Sequence, residues 1–308
     1  MQHDSYDDQN WSRNDRRTTA RRGPFLSRHG GKMMAALVLA VVAVGAVVYN
    51  ATRPEDQSPD IVEAPPASDA VEDGAGVDLT QPFAGTPAEA WPDGVTGIVA
   101  PPPVAVGEFS AEEVGQAYAK VRQVLIASRL DREVIEGHDY ERFLKLLAPK
   151  ARADLRPGFS DDLGTSYSYA TRIADDFRLL PVDPKVQGTM SAELGKDGSL
   201  VIHTNYVFAY AFDTLTPERV TDAMDIVAVD RWEADYVLTD DRWPEDNQGL
   251  WLDKVQGYGY SIACTAYKEG SLAPAYSERI DGDDADPEAE DRYFDPSKPL
   301  LTDSSCPA

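Results

Sequence analysis

Residues that bind metals or carry redox chemistry are scarce in this sequence. Its 308 residues include two cysteines, Cys264 and Cys306, and four histidines. Because a site of two cysteines, or of one cysteine and one histidine, lacks the further ligands that a tetrahedral zinc site needs, we expect no structural zinc. The sequence also has no glycine-rich phosphate loop, no His-Glu-x-x-His motif and no serine-centred elbow. We therefore predict a protein with neither metal nor cofactor.

An acidic stretch that begins at Asp281, DGDDADPEAED, has the composition of a calcium loop but not its pattern. An EF-hand loop needs glycine at its sixth position and glutamate at its twelfth. These two positions hold Asp286 and Arg292. The stretch is therefore predicted to be a flexible acidic loop without a bound cation.

The longest uncharged apolar run extends from Met33 to Tyr49. As a helix, its seventeen residues would measure about 26 Å, close to the roughly 30 Å of a bilayer core. Seven basic residues precede the run and only Arg53 follows it closely, which predicts a cytoplasmic N-terminus. A cleavable signal is the alternative, but its weak small-x-small site at residues 43–45 lies inside the run. We expect a single-pass protein of the cell membrane, with residues 33–49 in the lipid bilayer and the C-terminal part extracytoplasmic.

Charge and composition divide the rest of the chain. Residues 51–308 hold 22 basic and 49 acidic residues, a net charge of −27 that repels nucleic acid, so no nucleic-acid partner is expected. Residues 1–32 are predicted to be a disordered basic cytoplasmic tail. Residues 50–108 are rich in proline and acid and end in VAPPPVAVG, which predicts a linker. Residues 268–308 are predicted to be an acidic C-terminal tail.

Two stretches after Phe109 have a helical pattern. Ser110 and Glu113 have the spacing of a capping box, and apolar residues then recur at helical intervals at Val114, Tyr118, Val121 and Leu125. The stretch DYERFLKLLAP predicts a second helix with Asp139 as its N-cap.

From Val186 onward, apolar residues recur at every second position, as in half-buried strands. Four strands are predicted, in VQGTMSAEL, LVIHTNYVFAYAF, DIVAVDRWEADYVL and GLWLDKVQGYGYSIACTAY, with GKDGS as a hairpin turn between the first two. Helices followed by an antiparallel meander predict an α+β fold over residues 109–267. In it, N-terminal helices pack in a curved antiparallel sheet, preceded by one transmembrane helix and a disordered linker.

This order of elements resembles the nuclear-transport-factor-2-like, or cystatin-like, cone fold. With the apolar run included, the layout is similar to uncharacterised single-pass actinobacterial membrane proteins. It is also similar to mammalian-cell-entry-associated membrane proteins, which place such a cone outside one membrane helix. The stretch YFDPSKPL near the C-terminus is typical of a family signature, with no mechanism attached to it. The resemblance implies a domain type that serves both enzymes and assembly modules.

Strand phase singles out Asp230 as the candidate for chemistry. It is in phase with the apolar residues of the third strand, and Tyr206 and Tyr210 lie on the matching face of the second. Isomerases of the cone fold use comparable groups, so these three residues are the catalytic candidates. We favour the alternative that Asp230 is not catalytic and is either turned to solvent by a bulge or capped at the rim.

The opposite, polar face of the strands carries His203 and Asp235, which could pair across the sheet. Such residues are more typical of a solvated sheet face, and this is the prediction that we adopt.

An extracytoplasmic location permits a disulfide between Cys264 and Cys306, which would tie the tail back to the domain. Two free thiols or an intermolecular bridge are the alternatives. We predict a membrane-anchored, non-enzymatic interaction or assembly module with a protein partner or self-association. The alternatives are a small-ligand-binding or isomerase-like cone that uses Asp230, and a subunit of a secretion or conjugation apparatus.

Overall fold

The computed structural model describes residues 76–214, 216, 219–278, 292–300 and Cys306. The predicted cytoplasmic tail and transmembrane helix lie outside these residues, and so does the predicted linker before residue 76. Among the helices of the described part, none is long and apolar enough to span a membrane.

Within the described residues, six α-helices and a 3-10 helix (Gly94–Gly97) precede the sheet, and only the first α-helix is long. Helix α1 (Ala111–Arg129) begins at the predicted capping box, in which Glu113 N donates to Ser110 Oγ at 3.3 Å and Ser110 N donates to Glu113 Oε2 at 2.7 Å. The short helices that follow are α2 (Arg132–Ile135), α3 (Glu141–Leu144), α4 (Pro149–Leu155), α5 (Gly158–Asp161) and α6 (Leu163–Tyr169).

The predicted second helix is a single turn, and its N-cap is Tyr140 rather than Asp139. Asp139 still belongs to the preceding turn, because its N–H donates to Glu133 O at 2.9 Å. His138, just before it, has a positive φ of 58° that redirects the chain.

The four predicted strands form one antiparallel sheet in the order β1 (Lys185–Leu194), β2 (Leu200–Ala211), β3 (Val227–Thr239) and β4 (Gly249–Tyr260). The mixed helix-and-sheet prediction is therefore confirmed. Gly198 takes a φ of 82° in the predicted hairpin turn between β1 and β2. Two short helices, α7 (Ala223–Ile226) and α8 (Cys264–Lys268), flank β3 and β4.

The fourth strand is shorter than predicted. It ends at Tyr260, and Ser261 has a φ of 53°, a left-handed conformation that leaves the strand ladder. Cys264, predicted to lie in this strand, is instead the first residue of α8.

One face of the sheet, the inner face, packs against α1. Its buried apolar cluster joins Val121 and Leu125 of α1 to Tyr206, Phe208 and Tyr210 of β2. The core thus lies between the long helix and the sheet.

The opposite face, the outer face, is also apolar near Val207 and Val229 and is also covered. Phe83 and Ala88 come from residues 77–91, and Phe294 comes from the C-terminal part. The predicted start of the folded domain near Phe109 is therefore too late, since residues 76–108 contribute to this second core. Their proline-rich composition lacks the periodicity that would have indicated packing.

Candidate functional site

Asp230 lies in β3 on the inner face, opposite Phe208 of β2 and Gly259 of β4. Its side chain is completely buried, and Tyr167 Oη of α6 donates to Asp230 Oδ2 at 2.7 Å. The irregularity between β3 and β4 comes after Ala234, beyond Asp230. The expectation that a bulge turns Asp230 to solvent is therefore wrong, because the strand keeps its regular alternation at that position.

A buried arginine, Arg129, lies beside this carboxyl at the C-terminal end of α1. Its Nη1 donates to Thr171 Oγ1 at 3.1 Å and to Tyr167 O at 3.3 Å, and its Nη2 donates to Ser168 O. The guanidinium carbon lies 4.5 Å from the centre of the Trp232 ring. Carbonyl and hydroxyl oxygens and an aromatic face thus hold the cation in the core.

Of the two predicted tyrosines, only Tyr210 joins this group. Its hydroxyl donates to Arg129 O at 3.0 Å and lies 3.2 Å from Thr171 Oγ1. Tyr206 Oη instead donates to Val99 O at 3.3 Å. We call the resulting set the buried polar cluster; its members are Arg129, Tyr167, Thr171, Tyr210, Asp230 and Trp232.

Burial raises the pKa of Asp230, although the hydrogen bond from Tyr167 and the charge of Arg129 lower it in part. Burial also raises the pKa of Tyr167 well above its usual value, and the neighbouring Asp230 charge adds to that effect. The tyrosine therefore remains a neutral donor at physiological pH. Among the described residues, no side chain meets hydrogen-bond geometry at Asp230 Oδ1. Chemically, the cluster combines a carboxyl of raised pKa with phenol donors.

Aromatic rings enclose this cluster. The Tyr167 ring meets both Trp232 and Tyr267 edge to face, with centroids 5.6 Å apart in each pair. Two surface clefts of about 250 and 330 Å³ lie elsewhere, one beside Phe83 and the other beside Phe177. Access to Asp230 would therefore require these rings to move.

The cross-strand pair of His203 and Asp235, the alternative to the predicted solvated sheet face, is present on the outer face. His203 Nδ1 lies 2.5 Å from Asp235 Oδ1, and Nε2 lies 2.8 Å from Glu193 Oε1. Lys254 Nζ lies 3.6 Å from the other oxygen of Asp235. Partial burial lowers the pKa of His203, but its two carboxylate partners raise it by more, so the net shift is upward. No group of three or more potential ligands in the described ranges has the arrangement of a metal site.

Arg231, also on the outer face, binds the C-terminal strap, the name we give to residues 292–300. Arg231 is fully buried, and its Nη2 donates to Pro296 O at 3.0 Å and to Lys298 O at 2.8 Å. Asn205 accepts from Arg231 Nε at 3.1 Å and donates to Pro296 O at 2.8 Å. The strap contains the YFDPSKPL stretch, which therefore has a structural role.

Aromatic stacking and a disulfide complete the attachment. Tyr293 of the strap stacks on Tyr260 with ring centroids 4.1 Å apart, and Phe294 is buried. Farther along the chain, Cys306 is bonded to Cys264, with 5.3 Å between their Cα atoms. The predicted pairing of the two cysteines is thus confirmed.

Sequence reasoning gave no buried role to Arg129 or Arg231, although both left a signal. Arg129 follows Leu125 by four residues and so continues the apolar stripe of α1. Arg231 follows Val227 and Val229 on an alternating apolar face. A charged residue in an apolar series is either turned away or paired, and both of these are paired.

No protein-family model, curated protein or solved structure matches this chain. What the protein does is therefore inferred from the buried polar cluster, the strap and the exposed surface.

Proposed function

We propose that the described region is an extracytoplasmic, non-enzymatic interaction domain, anchored to the cell membrane by residues 33–49. The enclosure of Asp230 carries this proposal. A general acid or base must come within hydrogen-bond reach of its substrate, whereas this carboxyl has no exposed surface. Its partners Tyr167 and Arg129 bond within the core, so the cluster serves to satisfy buried polar groups.

Two further features support the compartment and the fold in this proposal. The disulfide that closes the chain from Cys264 to Cys306 is typical of an oxidising, extracytoplasmic location. The packing of α1 against one face of a four-stranded antiparallel sheet favours the cone fold, as in the mammalian-cell-entry-associated proteins that the layout resembles.

An isomerase-like or ligand-binding cone is the second candidate, and one observation favours it. Among the described residues, no donor meets hydrogen-bond geometry at Asp230 Oδ1, and Trp232 Nε1 is likewise without an acceptor. Trp232 and Thr171 nevertheless lie close enough to lower the pKa of Asp230. A small ligand with a hydroxyl group would satisfy this oxygen if the ring of Tyr267 moved aside. The two candidates therefore differ in whether Asp230 becomes accessible in the native protein.

Carboxyl labelling separates these candidates. Full-length protein in detergent is treated with a water-soluble carbodiimide and glycine ethyl ester at pH 6, and modified residues are identified by mass spectrometry. We expect the exposed Asp253 to react and Asp230 to react only after unfolding. Native-state modification of Asp230 at a rate similar to that of Asp253 would overturn the proposal and favour the ligand-binding cone.

Protease added outside intact cells tests the compartment. We expect added trypsin to degrade the domain while the N-terminal tail stays protected. Complete protection of the domain would contradict an extracytoplasmic location.

A further inference from the structure

Exposed apolar side chains concentrate along one edge of the domain. In the described part of the chain, the large hydrophobic residues that are well exposed are Val95, Val99, Val104, Leu146 and Leu194. Asp93 bridges to Lys185 at the start of β1, and a Cβ placed on Gly107 would lie 2.9 Å from Leu194 Cδ1 at its end. The segment between Asp93 and Gly107 therefore runs beside β1, and four of these five side chains lie along that edge.

Within this segment, Ala100, Pro101 and Val106 are half-buried, whereas Val99 and residues 102–105 are exposed. Ala100 and Val106 pack against the inner core, and Pro103 lies beside α1, where a Cβ on Gly115 would come 3.4 Å from Pro103 Cγ. The three consecutive prolines fix their φ angles near about −65°, the value of a polyproline II helix. We call residues 99–105 the proline ridge.

The ridge is held firmly in place. Arg122 Nε donates to Ile98 O at 2.9 Å, and Arg122 Nη2 donates to Val95 O at 2.7 Å. Tyr206 Oη reaches Val99 O, and Val106 and Phe109 exchange two backbone hydrogen bonds of 2.9 Å. A partner that binds the ridge would therefore lose little free energy to ordering it.

Protecting the edge strand β1 from pairing with another chain explains only those side chains of the ridge that face the domain. Prolines beside an edge strand prevent it from pairing with another chain. Ala100 and Val106 are sufficient to seat the segment there, and polar residues at Val99 and Val104 would make its outer side soluble. The outward apolar side chains instead indicate a contact surface.

Charge and backbone chemistry restrict the partner. The carboxylates of Asp93 and Glu108 lie at the two ends of the ridge, where Asp93 pairs with Lys185 at 2.8 Å and Glu108 lies 4.0 Å from Arg242. The net charge of −27 after residue 50 disfavours anionic lipid and favours a basic partner surface. No backbone–backbone hydrogen bond between described residues involves residues 100–105, so their carbonyl oxygens are available as acceptors. Aromatic side chains with a donor group pack on proline rings and reach such carbonyls.

We propose that the proline ridge docks in an aromatic-lined groove with a basic rim on a protein partner. This inference rests on the proposed role as an interaction domain and specifies where that domain makes its contact.

Photocross-linking with two probe positions tests the proposal. Benzoylphenylalanine replaces Ala105 on the ridge or, as a matched control, the exposed Gln256 in β4, in full-length protein in native membranes. We expect a protein adduct at Ala105 that decreases at least fivefold with excess synthetic peptide of residues 99–107. A peptide with its three prolines replaced by alanine should not compete. The purified partner should bind the proline peptide, and binding should weaken as salt is raised.

A Pro102→Asp variant provides a second measurement. Its thermal melting temperature should match that of the wild type, because Pro102 is exposed, while the Ala105 adduct should disappear. An adduct with lipid or with a second copy of the chain, or equal competition by both peptides, would overturn the ridge proposal. Adducts at Gln256 alone would overturn the ridge proposal but would still support an interaction domain. Adducts at neither position would contradict both the ridge proposal and the proposed function.

Discussion

Replacing Arg231 with methionine should release the C-terminal strap from the outer face of the sheet. Methionine keeps an apolar side chain of similar length but donates no hydrogen bond to Pro296 O or Lys298 O. Pro296 O and Lys298 O would lose their charged donor, while the strap itself would keep its sequence and its other contacts. The strap would still be held by the stacking of Tyr293 on Tyr260 and by the disulfide.

The expected loss is about 3 kcal/mol, confined to the strap. A hydrogen bond from a charged donor contributes about 1.5–3 kcal/mol. Arg231 makes two such bonds to the strap, to Pro296 O and Lys298 O. Two bonds at the lower end of that range give the expected loss. A loss of about 3 kcal/mol corresponds to a roughly 150-fold larger population of the detached strap.

Native-state cleavage by chymotrypsin after Phe294 measures this population. Phe294 is 4% exposed, so cleavage requires detachment, and its rate follows the open population when reclosing is fast. The fragment stays linked through Cys306 and is counted after reduction. We expect cleavage about 150 times faster in Arg231→Met and unchanged in Arg242→Met, where an exposed arginine is paired only at the surface. An unchanged rate in Arg231→Met would refute this reasoning.

Three further predictions concern stability. Joint replacement of Cys264 and Cys306 by serine should lower the free energy of unfolding by about 4 kcal/mol in the chain-entropy model, because the two cysteines are 42 residues apart. Urea melts measure this loss, and a value below about 1 kcal/mol would contradict the prediction. Tyr167→Phe should lower the free energy of unfolding by about 1–3 kcal/mol, because it removes the hydrogen-bond donor to buried Asp230. Without that donor the pKa of Asp230 rises further, so the loss of stability should be larger at pH 8 than at pH 5. The raised pKa of His203 stabilises the fold fully below pH about 6.5, and this stabilisation is lost as the pH rises through the folded-state pKa. His203→Gln should remove that part of the pH dependence, and an unchanged profile would rule the histidine out as its source.

The sheet was predictable because its information is local. Alternation in β2 and β3 marks the strands, and the capping box at Ser110 marks the start of α1. The segments that cover the outer face were not predictable in the same way, although the apolar side chains of Val207 and Val229 indicate that some segment must cover it. Phe83 and Phe294 come from proline-rich segments that have no period, and only tertiary contact selects them.

The candidate site was predictable only in part, for a related reason. Strand phase places Asp230 on the inner face, which is where it lies. Tyr206 and Tyr210 share that face but are four residues apart, about 13 Å along a strand. Asp230 is opposite Phe208, between the two, and Tyr210 alone turns toward Arg129. The remaining partner, Tyr167, comes from a short helix whose sequence gives no periodic signal.

Helices cover the inner face and other segments cover the apolar part of the outer face, and this restricts where the domain can bind a partner through apolar contacts. Helices cover the inner face, and two segments of the same chain meet on the outer face, where the rings of Trp91 and Phe294 lie 5.8 Å apart. The disulfide from Cys306 to Cys264 then ties the end of the chain to the domain. A contact through the covered parts of either face would have to displace packed side chains, and the uncovered part of the outer face around His203 and Gln256 is polar. A contact at the β1 edge instead meets apolar groups that are already exposed. The fold therefore favours recognition through the proline ridge over recognition through the sheet.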